Sequence, residues 1–256
     1  MTKSDNDGGF ISHLAELRKR LIQSFVFLII FFIGCYFFAE HLYGFLVEPY
    51  AKAVKDDGTE RRLIFTALQE TFLTYLKVSF FAAFFVTCPF ILMQIWKFIA
   101  PGLYKHEKIA IVPYLILTPI LFFLGGMLVY YLIMPLAIKF FLSFESSGLT
   151  TGLPIQLEAK VNEYLSLIMR LIFAFGISFQ LPILLNLLAR TGVVNSNYLK
   201  KTRRYVIVII FTVAAILTPP DPITQIGLAI PLLLLYELSI ITVKFTERKD
   251  KEKKDA

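Results

Sequence analysis

The stretch PFILMQIWKFIAPGLYKHEK, residues 89–108, closes one strongly apolar run and makes a short polar turn at Pro101 and Gly102. It then sets Lys105, His106, Glu107 and Lys108 in a row before the next apolar run begins at Ile109. Apolar runs on both sides of so short a charged segment are the pattern of a chain that leaves lipid and re-enters it. The reading puts a carboxylate, Glu107, at a membrane surface.

The rest of the chain agrees with that reading. Of its 256 residues 57% are hydrophobic and only 18% charged, and the mean hydropathy of +0.68 lies outside the range of ordinary soluble domains. The net charge of +7 would suit a nucleic-acid binder if the bases formed one stripe. They lie instead between and after the apolar runs, which is a topology signal. Cys35 and Cys88 both fall inside apolar runs, so neither a disulfide framework nor metal-ligand spacing is present, and no cofactor or metal is implied. Arg18, Lys19 and Arg20 lead into the first span with no small-residue cleavage site, so that span is expected to remain in the mature protein.

In chain order, residues 1–9 are polar and Gly-rich and read as a disordered tail. Phe10, Leu14, Leu17 and Leu21 recur at helical spacing and predict a short amphipathic helix on the membrane, leading into a span over residues 21–39. Residues 40–69 read as a long outer loop. Apolar runs follow at residues 72–99 and 109–142, both longer than the ~20 residues that cross hydrocarbon. Bends are expected at Pro89, Pro113, Pro119, Gly125-Gly126 and Pro135. After a second outer loop at residues 143–162 come a span at 164–188, a basic inner loop, a run at 205–218, the turn TPPDP, a run at 223–243 and a basic tail, 244–256. The fifth run has about 14 residues, or ~21 Å of helix against a ~30 Å hydrocarbon core.

Of the 26 Lys and Arg residues, eight (Lys52, Lys55, Arg61, Arg62, Lys77, Lys139, Lys160 and Arg170) fall in outer positions, leaving 18 inside. By the positive-inside rule this predicts an all-α polytopic membrane protein. It has six transmembrane helices in one domain, residues 10–243, with both termini cytoplasmic and the last two spans short. No internal repeat of the inverted kind is visible.

Four segments carry a resemblance: HLAELRKRL (13–21), PFILMQIWKFIAPGLYKHEK (89–108), FAFGISFQLP (173–182) and LTPPDPITQIGLAIPLLLLYE (217–237). Together, in this order and spacing, they closely resemble the TatC family, the core receptor subunit of the Sec-independent twin-arginine protein translocase. The resemblance covers nearly the whole chain. It implies a receptor and core channel subunit, not an enzyme, in the plasma (inner) membrane. Such a subunit binds twin-arginine signal peptides of folded cargo proteins at the cytoplasmic face, works with single-span partner subunits and further copies of itself among membrane lipid, and supports export driven by the proton gradient.

The residues themselves leave two readings at most sites. Glu16 stands four residues before Arg20, the favourable order for a surface pair on a helix, and Glu107 suits the first turn of the third span. The resemblance gives both carboxylates to the paired arginines of a signal peptide, which fits the bidentate match of carboxylate to guanidinium. Phe98 reads as an interface anchor and Leu103 and Tyr104 as packing under the turn; the resemblance makes them part of the signal-peptide surface. Gln180 stands where the family frequently has an acid. An amide lines or hydrogen-bonds but does not titrate, so a proton-carrying role there is put in doubt. Thr218, Asp221 and Gln225 flank the double proline. Asp221 reads as a helix cap, and the resemblance implies a polar docking site for partner helices formed with Gln180. Pro49 and Tyr130 match family positions of functional interest.

Two other classes compete less well. A small-molecule transporter needs ionisable residues at the bilayer midplane, where these spans offer mainly Gln180 and proline kinks. An intramembrane enzyme needs a nucleophile and base at matching depth; His13, His41 and His106 all lie at ends or in loops, and neither HExxH nor GxSxG occurs.

Overall fold

An uninterrupted apolar run with nothing to satisfy its backbone but itself has to be helical in lipid, and helix dominates the computed structural model. The model describes residues 4–55, 61–103, 112–146, 152–153, 155–190, 192–218 and 221–255, with side chains described within 15–55, 61–95, 113–146, 152–153, 155–190, 192–218 and 221–248. Among the described residues the helices are α1 (Ser4–Phe37), α2 (Ala39–Lys55), α3 (Glu70–Leu103), α4 (Val112–Leu128), α5 (Met134–Leu142), α6 (Val161–Ser178), α7 (Leu181–Arg190), α8 (Ser196–Leu217) and α9 (Pro222–Asp255). Among the described residues no strands form, and two isolated bridges, Ile64 with Lys160 and Ser146 with Ile155, are the extended pairings. Among the described residues five stretches are long and apolar enough to cross a membrane: Ala15–Phe37, Glu70–Ile95, Pro113–Leu142, Val161–Arg190 and Pro222–Arg248. The fifth apolar run lies in α8, whose first turns carry Lys200, Lys201, Arg203 and Arg204.

Several boundaries differ from the sequence expectation, each for a physical reason. The amphipathic helix and first span are one helix, since no proline or glycine interrupts residues 10–33. That helix starts at Ser4, within the stretch read as a disordered tail, because extending an existing helix is far cheaper than nucleating one. The stretch read as an outer loop begins with α2: Leu46, Tyr50, Ala53 and Val54 recur at helical spacing and are all buried. Helix α3 runs through Pro101 and Gly102, where a turn was expected. The basic segment after residue 243 continues α9 to Asp255.

Two prolines do interrupt long runs. Between α4 and α5 a π-helical turn spans Val129–Ile133, with the Met134 N–H bonded to the Val129 carbonyl, five residues back. In a regular helix the ring of Pro135 would strike the carbonyl of residue 131, and the wider turn just before it removes the conflict. The run expected as a single span over 164–188 is broken at Phe179-Gln180, immediately before Pro182, into α6 and α7.

The chain forms two compact units, Met1–Tyr43 with Tyr75–Pro119, and Gly44–Thr74 with Ile120–Ala256. In the first, α1 and α3 run antiparallel: Phe27 stacks on Phe90 at 4.6 Å, Phe32 meets Phe80 edge-on at 6.2 Å, and Tyr43 meets Tyr75 at 5.7 Å. In the second, Phe122, Met134, Leu165, Ile168, Leu171 and Phe175 are fully buried. A further buried cluster of Leu199, Tyr236, Ile240 and Val243 joins α8 to α9.

Candidate functional site

Glu16 and Arg20 share one face of α1 because four residues make about one turn. The Glu16 Oε1 accepts hydrogen bonds from Arg20 Nε at 3.0 Å and Nη2 at 2.5 Å. Arg20 Nη1 donates to Gln94 Oε1 on α3 at 2.7 Å. The surface pair expected from spacing is therefore present and is also tied across to the second helix of its unit. Gln94 was missed from sequence, although an amide inside so apolar a helix was a signal for a polar partner. The Glu16 side chain is 41% exposed, and among the described residues its Oε2 accepts no bond, so the carboxylate faces outward with half its acceptor capacity unused.

One helical turn beyond Gln94, α3 carries Phe98, and it ends at Leu103; both lie beyond the described side chains. Tyr104 and Glu107 lie outside the described residues.

Pro49 and Tyr130, read separately from sequence, form one feature. Proline has no N–H, so within α2 the Phe45 carbonyl has no donor four residues on. The Tyr130 hydroxyl lies 2.7 Å from that carbonyl and 3.1 Å from Glu48 Oε2, and its ring stacks on Phe45 at 4.4 Å and 5°. The π-helical turn holds Tyr130 there. Lys52 Nζ is 2.7 Å from Glu48 Oε1. The Lys52 hydrogen bond, then the Tyr130 one, hold the Glu48 carboxyl below its usual range. Tyr130→Phe should cost about 1–3 kcal/mol, because the part-buried Phe45 carbonyl loses its donor. In a Pro49→Ala background the new N–H supplies that donor, and Tyr130→Phe should cost clearly less. Unfolding midpoints of the four proteins measure this coupling, and additive losses would refute it.

The remaining polar candidates divide into a pair of sites. Gln180 is buried at the break between α6 and α7. Thr218, Asp221 and Gln225 gather where α8 turns into α9. The Thr218 hydroxyl donates to the Ala214 carbonyl of its own helix at 2.9 Å. Asp221 caps α9: its Oδ1 accepts the Thr224 N–H at 2.7 Å and its Oδ2 the Thr224 hydroxyl. Gln225 Nε2 reaches the Phe211 carbonyl across the hairpin at 3.4 Å. The capping role read from sequence for Asp221 is thus present and uses both carboxylate oxygens. No group of His, Cys, Asp and Glu among the described residues could hold a metal ion.

The family model described as Sec-independent protein translocase protein (TatC) matches residues 12–231. The chain belongs to the TatC family. Relatives called Sec-independent protein translocase protein TatC include one from Magnetococcus marinus, 49% identical over 96% of this chain and 88% of that protein. Another, from Rickettsia prowazekii, is 49% identical over 93% of each chain. A crystal structure of a twin arginine translocase receptor, TatC, in DDM matches with a TM-score of 0.78 and 39% identity, covering 90% of this chain and 99% of that one. This TatC-family chain is thereby a multi-pass, all-helical membrane protein with the family's six-span fold, and a component of Sec-independent protein translocation. Its role is transport, not catalysis.

Proposed function

We propose that this TatC-family chain is the receptor and core channel subunit of a twin-arginine translocase. It lies in the plasma (inner) membrane with both termini in the cytoplasm, as the distribution of its basic residues favours. At the cytoplasmic face Glu16 and Glu107 receive the paired arginines of signal peptides on folded cargo, and Phe98, Leu103 and Tyr104 contact the rest of the peptide. Gln180, Thr218, Asp221 and Gln225 serve the docking of single-span partner subunits in an assembly containing several copies of this chain, and the proton gradient drives transport. The apolar part of α8 is short, and the bilayer thins around it, which eases passage of a folded protein.

The observation that carries this reading is the half-exposed Glu16 carboxylate, already bonded by one guanidinium through two N–H groups and held in place from α3 through Gln94. Such a group is chemically matched to an arginine side chain, and a lysine ammonium lacks the planar fork.

The test is binding of a twin-arginine signal peptide, beside its twin-lysine form, to the protein in lipid nanodiscs. The arginine peptide should bind more tightly, and Glu16→Ala and Glu107→Ala should each weaken it by roughly tenfold or more, the scale of one charge-assisted hydrogen bond. Equal binding of both peptides in wild type and variants would reject the receptor site.

A further inference from the structure

The cleft between the first turns of α8 and the distal third of α9 has a chemistry that signal-peptide recognition does not use. It encloses about 750 Å³ and is lined by Ile240, Ile241 and Phe245 together with Lys200, Lys244 and Arg248. Its floor is firm. Ile240 belongs to the buried cluster with Leu199, Tyr236 and Val243, and the Tyr236 hydroxyl donates to the Leu199 carbonyl at 2.8 Å. The acid in the lining, Glu247, is turned inward: its Oε1 accepts the Ser196 N–H at 2.7 Å and its Oε2 the Ser196 hydroxyl at 2.6 Å. It fastens the two helices together and does so at the cleft wall. The nearby cations Arg203 and Arg204 are engaged elsewhere, the first with Glu237 at 2.7 Å and the second over the Tyr205 ring at 4.8 Å.

The order along both helices sets the depth. On α8 Lys200 precedes the apolar run that starts at Tyr205, and on α9 Lys244 follows directly after Val243, where the apolar run ends. The cations therefore stand at headgroup level, with Ile240 and Ile241 at the edge of the hydrocarbon and Phe245 level with Lys244. A phosphodiester joined to an acyl chain has this same division.

We propose that the cleft is a binding site for an anionic phospholipid. The phosphate sits among Lys200, Lys244 and Arg248, and one acyl chain lies along Ile240, Ile241 and Phe245. Basic pockets between membrane helices take anionic headgroups by this combination of charge and position. The site stands independently of the signal-peptide reading and would hold the α8–α9 hairpin to the membrane surface.

The test uses the full chain in detergent, with phosphatidylglycerol and phosphatidylcholine as probes and native mass spectrometry reading lipid retention. Phosphatidylglycerol should be retained preferentially by wild type. The triple variant Lys200→Gln/Lys244→Gln/Arg248→Gln should lose affinity on the order of 100-fold, at about fivefold for each charge. A charge-matched control, Lys251→Gln/Lys253→Gln/Lys254→Gln, should stay near wild type. Ile241→Trp, which keeps every charge and fills the apolar side, should also release the lipid. It serves as the second arm if the triple variant fails to fold. Inorganic phosphate should not displace the lipid; displacement at low concentration would assign the site to a free anion. Equal retention of both lipids, unchanged retention in the triple variant and in Ile241→Trp, or equal loss in the control would each overturn the proposal.

Discussion

Glu145→Ala should destabilise the protein by about 3–5 kcal/mol, the range for removing one partner of a buried ion pair. The side chains of Arg61 and Glu145 are only 6% and 16% exposed. Glu145 Oε2 accepts a hydrogen bond from Arg61 Nη2, and its Oε1 accepts the Leu157 N–H at 2.7 Å. One carboxylate thus ties together three segments that lack regular structure of their own. Its neighbours depend on it: Ser146 and Ile155 exchange backbone bonds at 3.0 and 2.8 Å, and Ile64 pairs with the chain at Ala159 and Val161 at 3.1 Å each. Loss of the acid removes the Glu145 charge from beside the largely buried Arg61 guanidinium, which is the larger part of the cost. Glu145→Gln, which keeps an acceptor for one of the two donors, should fall between wild type and Glu145→Ala. The double variant Arg61→Leu/Glu145→Leu should recover much of the loss, since apolar replacements of both partners leave no stranded charge. Unfolding midpoints in a detergent or denaturant titration read all three. A Glu145→Ala loss under about 1 kcal/mol would mean the pair behaves as an ordinary surface bridge.

Gly125→Ala is the second large effect, with a loss of about 1–3 kcal/mol or more. A Cβ at residue 125 would lie 2.7 Å from the Phe175 carbonyl oxygen, 2.9 Å from its carbon and 3.1 Å from the Gly176 nitrogen. These are backbone atoms of α6, which have no rotamer to change, so α4 and α6 would have to separate. The facing residue, Gly176, is equally confined: a Cβ there would lie 2.7 Å from the Phe122 ring, itself fully buried. Close backbone approach through small residues is how membrane helices gain dispersion contact when lipid removes the hydrophobic drive between them. Gly34→Ala is the internal control, since nothing lies within 4 Å of a Cβ at that helical position. It should be neutral or slightly stabilising from helix propensity alone. Melting temperatures of the two purified variants in the same detergent check the contrast, and equal values would show that α4 and α6 have room to spare.

Gly125 also shows where reading the chain stops. Together with Gly126 it reads as a place where a long span bends, and only the distance to Phe175 shows that its role is contact. The same holds for Pro49, an unremarkable loop proline until α2 places its missing N–H opposite the Tyr130 hydroxyl. Glu16 and Arg20 were readable as a pair because one helical turn links them, but Gln94, 74 residues away from Arg20, was not. Likewise the helical repeat of Leu46, Tyr50, Ala53 and Val54 was present in the sequence, yet its charged and proline neighbours made it read as loop.

By itself the sequence determined that this protein lives in a bilayer, that it crosses as helices, and which family it belongs to. Hydropathy and the 3.6-residue period are local quantities, and lipid leaves the backbone no alternative to helix or closed barrel. The tertiary structure alone decided which polar groups are tied to partners within the chain and through which atoms. Glu145 takes Arg61 84 residues away, Tyr130 takes a carbonyl 85 residues away, Asp221 binds its own helix through both oxygens, and Glu16 binds Arg20 through one. The physical reason is that a hydrogen bond depends on a separation of about 3 Å in space, which no spacing along the chain encodes beyond the reach of a single helix turn.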